Sequence, residues 1–232
     1  MGATGSGELR RLWLFSGMAE DNVGLLLDAG RVDGLPARAT LFAEGTSAEF
    51  LHILLDGTVE LFAQMGEQES TIALLRPMSA FVLAAVAGDG PYLASARTLE
   101  GSRILLLPAT AVRDAFDRDP RFARAVTREL SNEFNGTLNE LKNQKLRSSM
   151  ERVADWLLRA DAQFGNRRRF TLPFDKRTLA SQLGMTPEHL SRNLKSLSGH
   201  GVVVAGRKIV LEDPAALAAV ARRSRHLNGP ES

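Results

Sequence analysis

The segment TPEHLSR, residues 186–192, brings Glu188, His189, Ser191 and Arg192 together in a short polar stretch. On a helix, positions 188, 191 and 192 share one face. A guanidinium can span O6 and N7 of guanine, a carboxylate can accept from the cytosine amino group, and a serine is small enough to meet a thymine methyl or to hydrogen-bond a base edge. His189 is the fourth candidate for a base edge. The same residues on a solvated charged face would do none of this. The reading therefore depends on the elements around them.

Those elements read as two helices joined by a tight turn. Leu179, Ala180 and Leu183 form one apolar face, Gly184 ends the first helix, and Leu190, Leu194 and Leu197 face the second. Thr186 caps that second helix and Pro187 takes its first position, where a missing N–H costs nothing. A small residue, a glycine four further on and an apolar residue six beyond suit close helix approach, a left-handed turn and an interhelical contact. Lys176 and Arg177 open the first helix. Arg207 and Lys208 sit in the turn of the following hairpin, GVVVAGRKIVLED. With Thr186, these four stand where phosphates would be held and register set.

Upstream, Glu8–Ala29 suits short helices, and residues 1–8 suit a frayed end. Between Arg31 and Pro108, short runs rich in Leu, Val, Ile and Phe alternate with glycine turns such as Asp56-Gly57, the pattern of an antiparallel barrel or roll. A helical tract begins at Pro108, and a proline-free helix is predicted from Arg121 to about Arg147. Val126, Leu130, Phe134, Leu138 and Leu141 form a single narrow stripe along it. Such a seam needs a partner, either the chain's own roll or a second copy, and its nearly heptad spacing favours the second copy. Ser148-Ser149 caps the next helix, which stops at Gly165. RRRFTLPF is a short strand, and Asp213-Pro214 starts a last helix.

Charge divides along the same line. Residues 1–147 carry 15 Lys/Arg against 19 Asp/Glu, and residues 148–232 carry 14 against 8, so a basic third follows a mildly acidic body. With no cysteine, disulfides, thiolate zinc sites and cysteine-held iron–sulfur clusters are excluded. No apolar run is long enough to span a bilayer and no secretory leader pattern is present, which points to the cytoplasm. No catalytic constellation or phosphate-cradling loop of the G-x-x-x-x-G-K type appears, so an enzyme is not expected.

In this order, roll, seam helix and helix-turn-helix with a wing, the chain from about Leu12 to Ala221 resembles the CRP/FNR superfamily of transcription regulators. HILLDGTVELF is similar to the family's roll strand with Gly57 at its turn, and GRKIVLED to its wing. TPEHLSR is similar to the FNR-type pattern of glutamate followed by serine-arginine, which in that branch reads TTGAT-like half-sites. The resemblance implies an α+β fold: a cyclic-nucleotide-binding-like β-roll (jelly roll) over residues 1–120, a dimerisation helix over 121–147 and a winged helix-turn-helix over 148–232. It also implies double-stranded DNA, a second copy of the chain and RNA polymerase as partners.

The sensor half departs from the family's cyclic-nucleotide pattern. Where that pattern has a Gly-Glu pair and an Arg-Ser/Thr pair, AFVLAAVAGDGPYLASAR offers Leu83-Ala84 and Tyr92-Leu93. A buried phosphate would lack both cation and hydroxyl there, so cyclic AMP is not expected. GPYLASA is similar to the DNR-type branch, which responds to nitrogen oxides, in some members through haem. His52, Phe81, Met78 and Tyr92 are the candidate effector-pocket residues, with His52 the candidate haem ligand and Met65 and Met78 weaker ones; an ordinary core role is the competing reading of each. Two alternatives stand beside an effector-controlled regulator. One is a ligand-independent regulator controlled by abundance. The other is a cupin-like metalloenzyme, for which His52 is the only histidine before residue 189.

Overall fold

The computed structural model describes residues 9–10 and 12–222; the expectation of a frayed start over residues 1–8 lies outside them. The chain divides into two compact units, Met1–Gly136 and Thr137–Ser232.

In the first unit a turn of 3-10 helix, Trp13–Phe15, precedes helix α1, Glu20–Ala29. The strands of the roll are β1 (Arg31–Leu35), β2 (Thr40–Phe42), β3 (Phe50–Asp56), β4 (Val59–Met65), β5 (Gln68–Leu75), β6 (Ser79–Phe81), β7 (Ser95–Thr98) and β8 (Ser102–Pro108). They form two antiparallel four-stranded sheets, ordered β1-β8-β3-β6 and β2-β7-β4-β5. Leu51, Ile53, Leu54, Val59, Ala96, Ile104, Leu105 and Leu107 belong to one buried core; burial of every residue from Leu51 to Leu54 in β3 and from Ile104 to Leu107 in β8 means that both faces of their sheet are covered. The turn between β3 and β4 requires glycine. Gly57 has φ +94°, and a Cβ there would lie 2.8 Å from the carbonyl oxygen of Gly101.

One element inside the roll was not expected. Leu83–Ala87 forms a short helix, α2, entered through Val82 at φ +62°. A β-branched residue in the left-handed region opposes its intrinsic preference, and burial of Leu83, Ala85 and Val86 in the roll core offsets the cost.

Helix α3, Ala109–Arg118, leads to α4, Pro120–Leu146. At its start Pro120 occupies the first position and Asp119 the cap, its Oδ1 accepting from the backbone N–H of Arg121 at 2.9 Å and of Phe122 at 3.3 Å. The apolar stripe does not behave as one seam. Val126 is 1% exposed inside the roll's own core and Leu130 packs against that core, whereas Phe134, Leu138 and Leu141 are exposed. Val126 is therefore corrected from seam to core, because the first turns of α4 bury their apolar side against the roll.

The second unit holds the end of α4, then α5 (Ser149–Gln163), β9 (Arg169–Thr171), α6 (Lys176–Gln182), α7 (Pro187–Leu197), β10 (Val202–Ala205), β11 (Lys208–Leu211) and α8 (Pro214–Arg222). Its three strands form one antiparallel sheet ordered β10-β11-β9. Ser148 caps α5 in a reciprocal box with Glu151: Ser148 N–H donates to the Glu151 carboxylate at 2.7 Å, and Glu151 N–H to Ser148 Oγ at 3.3 Å. Among the described residues, no helix is long and apolar enough to cross a membrane.

Candidate nucleic-acid interface

Helix α6 begins at Asp175, whose carboxylate accepts from Thr178 N–H at 2.8 Å and Oγ1 at 3.0 Å; these bonds hold its pKa below the usual carboxylate value. Leu183 is its C-cap and Gly184, φ +62°, follows, with Gly184 N–H donating to Ser181 O and Met185 N–H to Ala180 O. This is the left-handed stop that the sequence required. Thr186 then caps α7, accepting from His189 N–H at 3.3 Å. Leu190, Leu194 and Leu197 are buried on one side of α7 together with Asn193, whose Nδ2 donates to the Met185 sulfur at 3.6 Å.

The opposite face of α7 presents Glu188, Ser191 and Arg192, all exposed. Lys195, one turn beyond 191 and 192, is exposed on the same face. The sequence reading missed Lys195, although its separation from Glu188, two helical turns, was the available signal. The Glu188 carboxylate is held below its usual pKa by its own backbone N–H first, then by the Thr186 hydroxyl and the Arg192 and Arg177 charges. Ser191 Oγ donates to Pro187 O at 2.9 Å, which commits its proton and leaves its lone pairs and methylene free.

His189 departs from expectation. Its Nε2 lies 3.0 Å from Ser149 Oγ at the start of α5, so the ring points back into its own unit and not outward beside Glu188. The reason is helical geometry: position 189 is about 100° round from 188, on the flank nearer the buried stripe.

Of the phosphate candidates, Arg177, Thr186, Arg207 and Lys208 are exposed and Lys176 partly so. Arg207 and Lys208 follow Gly206, φ +61°, at the hairpin tip. The tip is tied to β9 by Leu172 N–H donating to Arg207 O at 2.9 Å. Arg167, Arg168 and Arg169, exposed at the entrance to β9, add a basic run that the motif-based reading passed over.

In the roll, His52, Phe81 and Tyr92 do come together, joined by Phe42. The Phe42 ring stacks on Tyr92 with centroids 3.9 Å apart and lies 4.9 Å from His52, and His52 lies 5.2 Å from Phe81. Tyr92 Oη donates to Phe50 O at 3.2 Å and accepts from Phe50 N–H at 3.3 Å. Burial drives the His52 pKa down to about 4, a main-chain bond with Phe50 opposing this and the Arg31 charge adding to it. Its Nδ1 is buried without a hydrogen-bond partner.

One expected pocket member, Met78, and the further ligand candidate Met65 lie elsewhere. Met78 is exposed in the turn before β6, where its main-chain oxygen accepts from Trp13 Nε1. Met65 ends β4 at 86% exposure. The imidazole is enclosed by the rings of Phe42, Phe81 and Tyr92, and both methionines lie at the surface. Arg97 is engaged by Glu60 at 2.8 Å and by Glu69.

Comparisons with known proteins agree with this layout. Residues 33–119 match the cyclic nucleotide-binding domain, and residues 151–220 match the Crp-like helix-turn-helix domain. The chain is 25% identical over 193 residues to the fumarate and nitrate reduction regulatory protein of Salmonella typhi, covering 81% of this chain and 77% of that one. It is 24% identical over 220 residues to the CRP-like cAMP-activated global transcriptional regulator of Mycobacterium tuberculosis (strain CDC 1551 / Oshkosh), covering 92% and 98%. The structure of FixK2 from Bradyrhizobium japonicum, 22% identical, superposes with a TM-score of 0.75 over 82% of this chain and 96% of that one, a likeness of fold. A nucleotide-binding-type roll, a long helix and a helix-turn-helix with a hairpin wing in one chain, matched on both sides of that helix, make this protein a transcription regulator of the CRP/FNR family and not an enzyme.

Proposed function

We propose that the protein is a homodimer that reads an inverted repeat in double-stranded DNA, one α7 per half-site, with half-sites about one helical turn apart. The observation that carries this is the two-sided character of α7: Leu190, Leu194 and Leu197 buried, and Glu188, Ser191, Arg192 and Lys195 presented to solvent on the other side. Arg192 takes guanine and Glu188 the cytosine amino group, in keeping with the FNR-type pattern and a TTGAT-like half-site. Lys176, Arg177, Thr186, Arg207 and Lys208 hold phosphates. Phe134, Leu138 and Leu141 supply the seam between copies, and RNA polymerase is the partner through which binding alters transcription. Selection of binding sites from random duplexes tests the reading. An enriched inverted repeat is expected, and a pool without one would reject it.

The effector of the roll is a molecule other than cyclic AMP. The substitution of Tyr92-Leu93 for a cation-hydroxyl pair and the engagement of Arg97 by two glutamates support this. A second reading, that the roll takes no ligand and the regulator is controlled by abundance, is favoured by the mutual packing of the Phe42, Tyr92, His52 and Phe81 side chains. Operator affinity measured with and without haem, and under nitric oxide, separates the two. Unchanged affinity supports the second. An absorption band dependent on His52 after haem addition would instead restore the imidazole as a ligand.

A further inference from the structure

The first turn of α5 makes three side-chain contacts to residues outside α5. Arg152 Nη1 donates to Arg147 O at 3.0 Å, and Arg152 Nε donates to Leu183 O at 3.3 Å. Arg147 directly follows α4, its N–H still donating to Asn143 O, and Leu183 is the C-cap of α6. One guanidinium therefore caps the carbonyl ends of two helices, where the backbone dipole favours a cation. The third contact is Ser149 Oγ to His189 Nε2 at 3.0 Å, which reaches the first turn of α7. Arg147 is held from its side chain as well. Its Nη1 is 3.0 Å from Asp155 Oδ1, and Asp155 Oδ2 is 3.0 Å from Arg159 Nε.

The end of α4 is thus fixed to α5 through both its main chain and its side chain, and α5 is fixed to the end of α6 and the start of α7. We infer that Arg152 is a positioning residue that sets the separation of the two half-sites this protein accepts. The inference rests on the dimeric reading above. If two copies join along α4, the placement of each reading helix follows from its angle to the last turn of α4, and the Arg152 side chain is bonded to both the end of α4 and the turn that launches α7. The required stiffness is considerable. Helix α7 has 11 residues and is about 16 Å long. Play of about 10° at its anchored end moves its far end by about 3 Å, nearly the rise of one base-pair step.

The test is binding-site selection with the full-length chain, using duplexes in which the two half-sites are separated by spacers of graded length. Wild type should prefer one spacer, with a penalty of about tenfold for a misplacement by one base pair, the usual cost of one disturbed position. Arg152→Met keeps the aliphatic stem and removes both donors. It should retain the same half-site bases while the penalty falls towards parity. Arg152→Lys, which reaches one carbonyl at a time, should fall between. A merely structural role for Arg152 would lower affinity for every spacer alike. A spacer preference unchanged in Arg152→Met overturns the inference and leaves the dimeric reading standing. A wild-type pool without a repeated half-site overturns both. Should the methionine variant fail to fold, the lysine variant carries the same test, and an unaltered preference there is equally fatal.

Discussion

Asn22 and Asp119, nearly a hundred residues apart in the chain, meet in a 2.9 Å hydrogen bond from Asn22 Nδ2 to Asp119 Oδ2. The same oxygen accepts from Ala19 N–H at 2.9 Å, while Oδ1 caps α4. One carboxylate therefore fastens the entrance of α1 to the entrance of α4. These bonds, that from Asn22 first, lower its pKa from 3.8 to about 2.

An acid-sensitive contribution follows. The folded pKa is depressed, so the unfolded chain takes up the proton first. The stabilisation is complete above pH 4 and disappears as the pH falls towards 2, amounting to roughly 2 kcal/mol. Asp119→Ala should lose at least that much at pH 7 and flatten the acid limb of the denaturation profile, measured by urea unfolding at graded pH.

His52 titrates in the opposite chemical sense with a similar outcome. It is neutral in the folded roll and charges more readily once unfolded, so stability should decline as the pH drops from about 6.5 to about 4. The full difference is about 3 kcal/mol. His52→Phe removes the titrating group and keeps a ring of similar size. Its stability between pH 7 and pH 4.5 should change less than that of wild type by most of this amount.

Within the proposed interface, Arg192→Ala should cost roughly 1–3 kcal/mol on the cognate site and relax the preference at one base pair, whereas Lys208→Ala should weaken all duplexes alike and reduce the salt slope by about one. Binding isotherms over a salt series and a set of single-base variants read both. An unaltered base preference in Arg192→Ala would remove α7 from the groove.

The division of the α4 stripe yields contrasting mutants. Phe134, 68% exposed, is available to another chain, so Phe134→Glu should leave the melting temperature near that of wild type while shifting sedimentation towards monomer. Val126→Ala, in the core, should cost about 1–3 kcal/mol of fold stability without changing the state of association.

The helix-turn-helix was legible because its determinants are local: Ala180, Gly184 and Leu190 span little more than ten residues, and Thr186-Pro187 is a self-contained helix start. The roll was legible as a class from its glycine turns. The inward aim of His189 was not, because its partner Ser149 lies 40 positions earlier and nothing at residue 189 announces it. Helix α2 was hidden for a related reason: Val82 adopts its unfavourable backbone only because the roll buries Leu83 and Val86. The α4 stripe misled because a run of spacings cannot say where a helix leaves its own core, and between Val126 and Phe134 it does.

In the proposed interface, the presence of Glu188 near Arg192 on the same face gives the surface of α7 a veto. A carboxylate travelling at the front of a helix is repelled by a polyanion, and its own guanidinium neighbour partly masks the attraction that would otherwise draw the helix to any duplex. In the proposed interface, only a step with an amino group at the right height in the groove would give Glu188 a donor and release Arg192 for a guanine. At other steps the acid is left facing phosphates unaided. On this view the protein is selective less because it clings to correct sites than because it is evicted from incorrect ones, and replacing Glu188 with glutamine should make it bind more tightly, nearly everywhere.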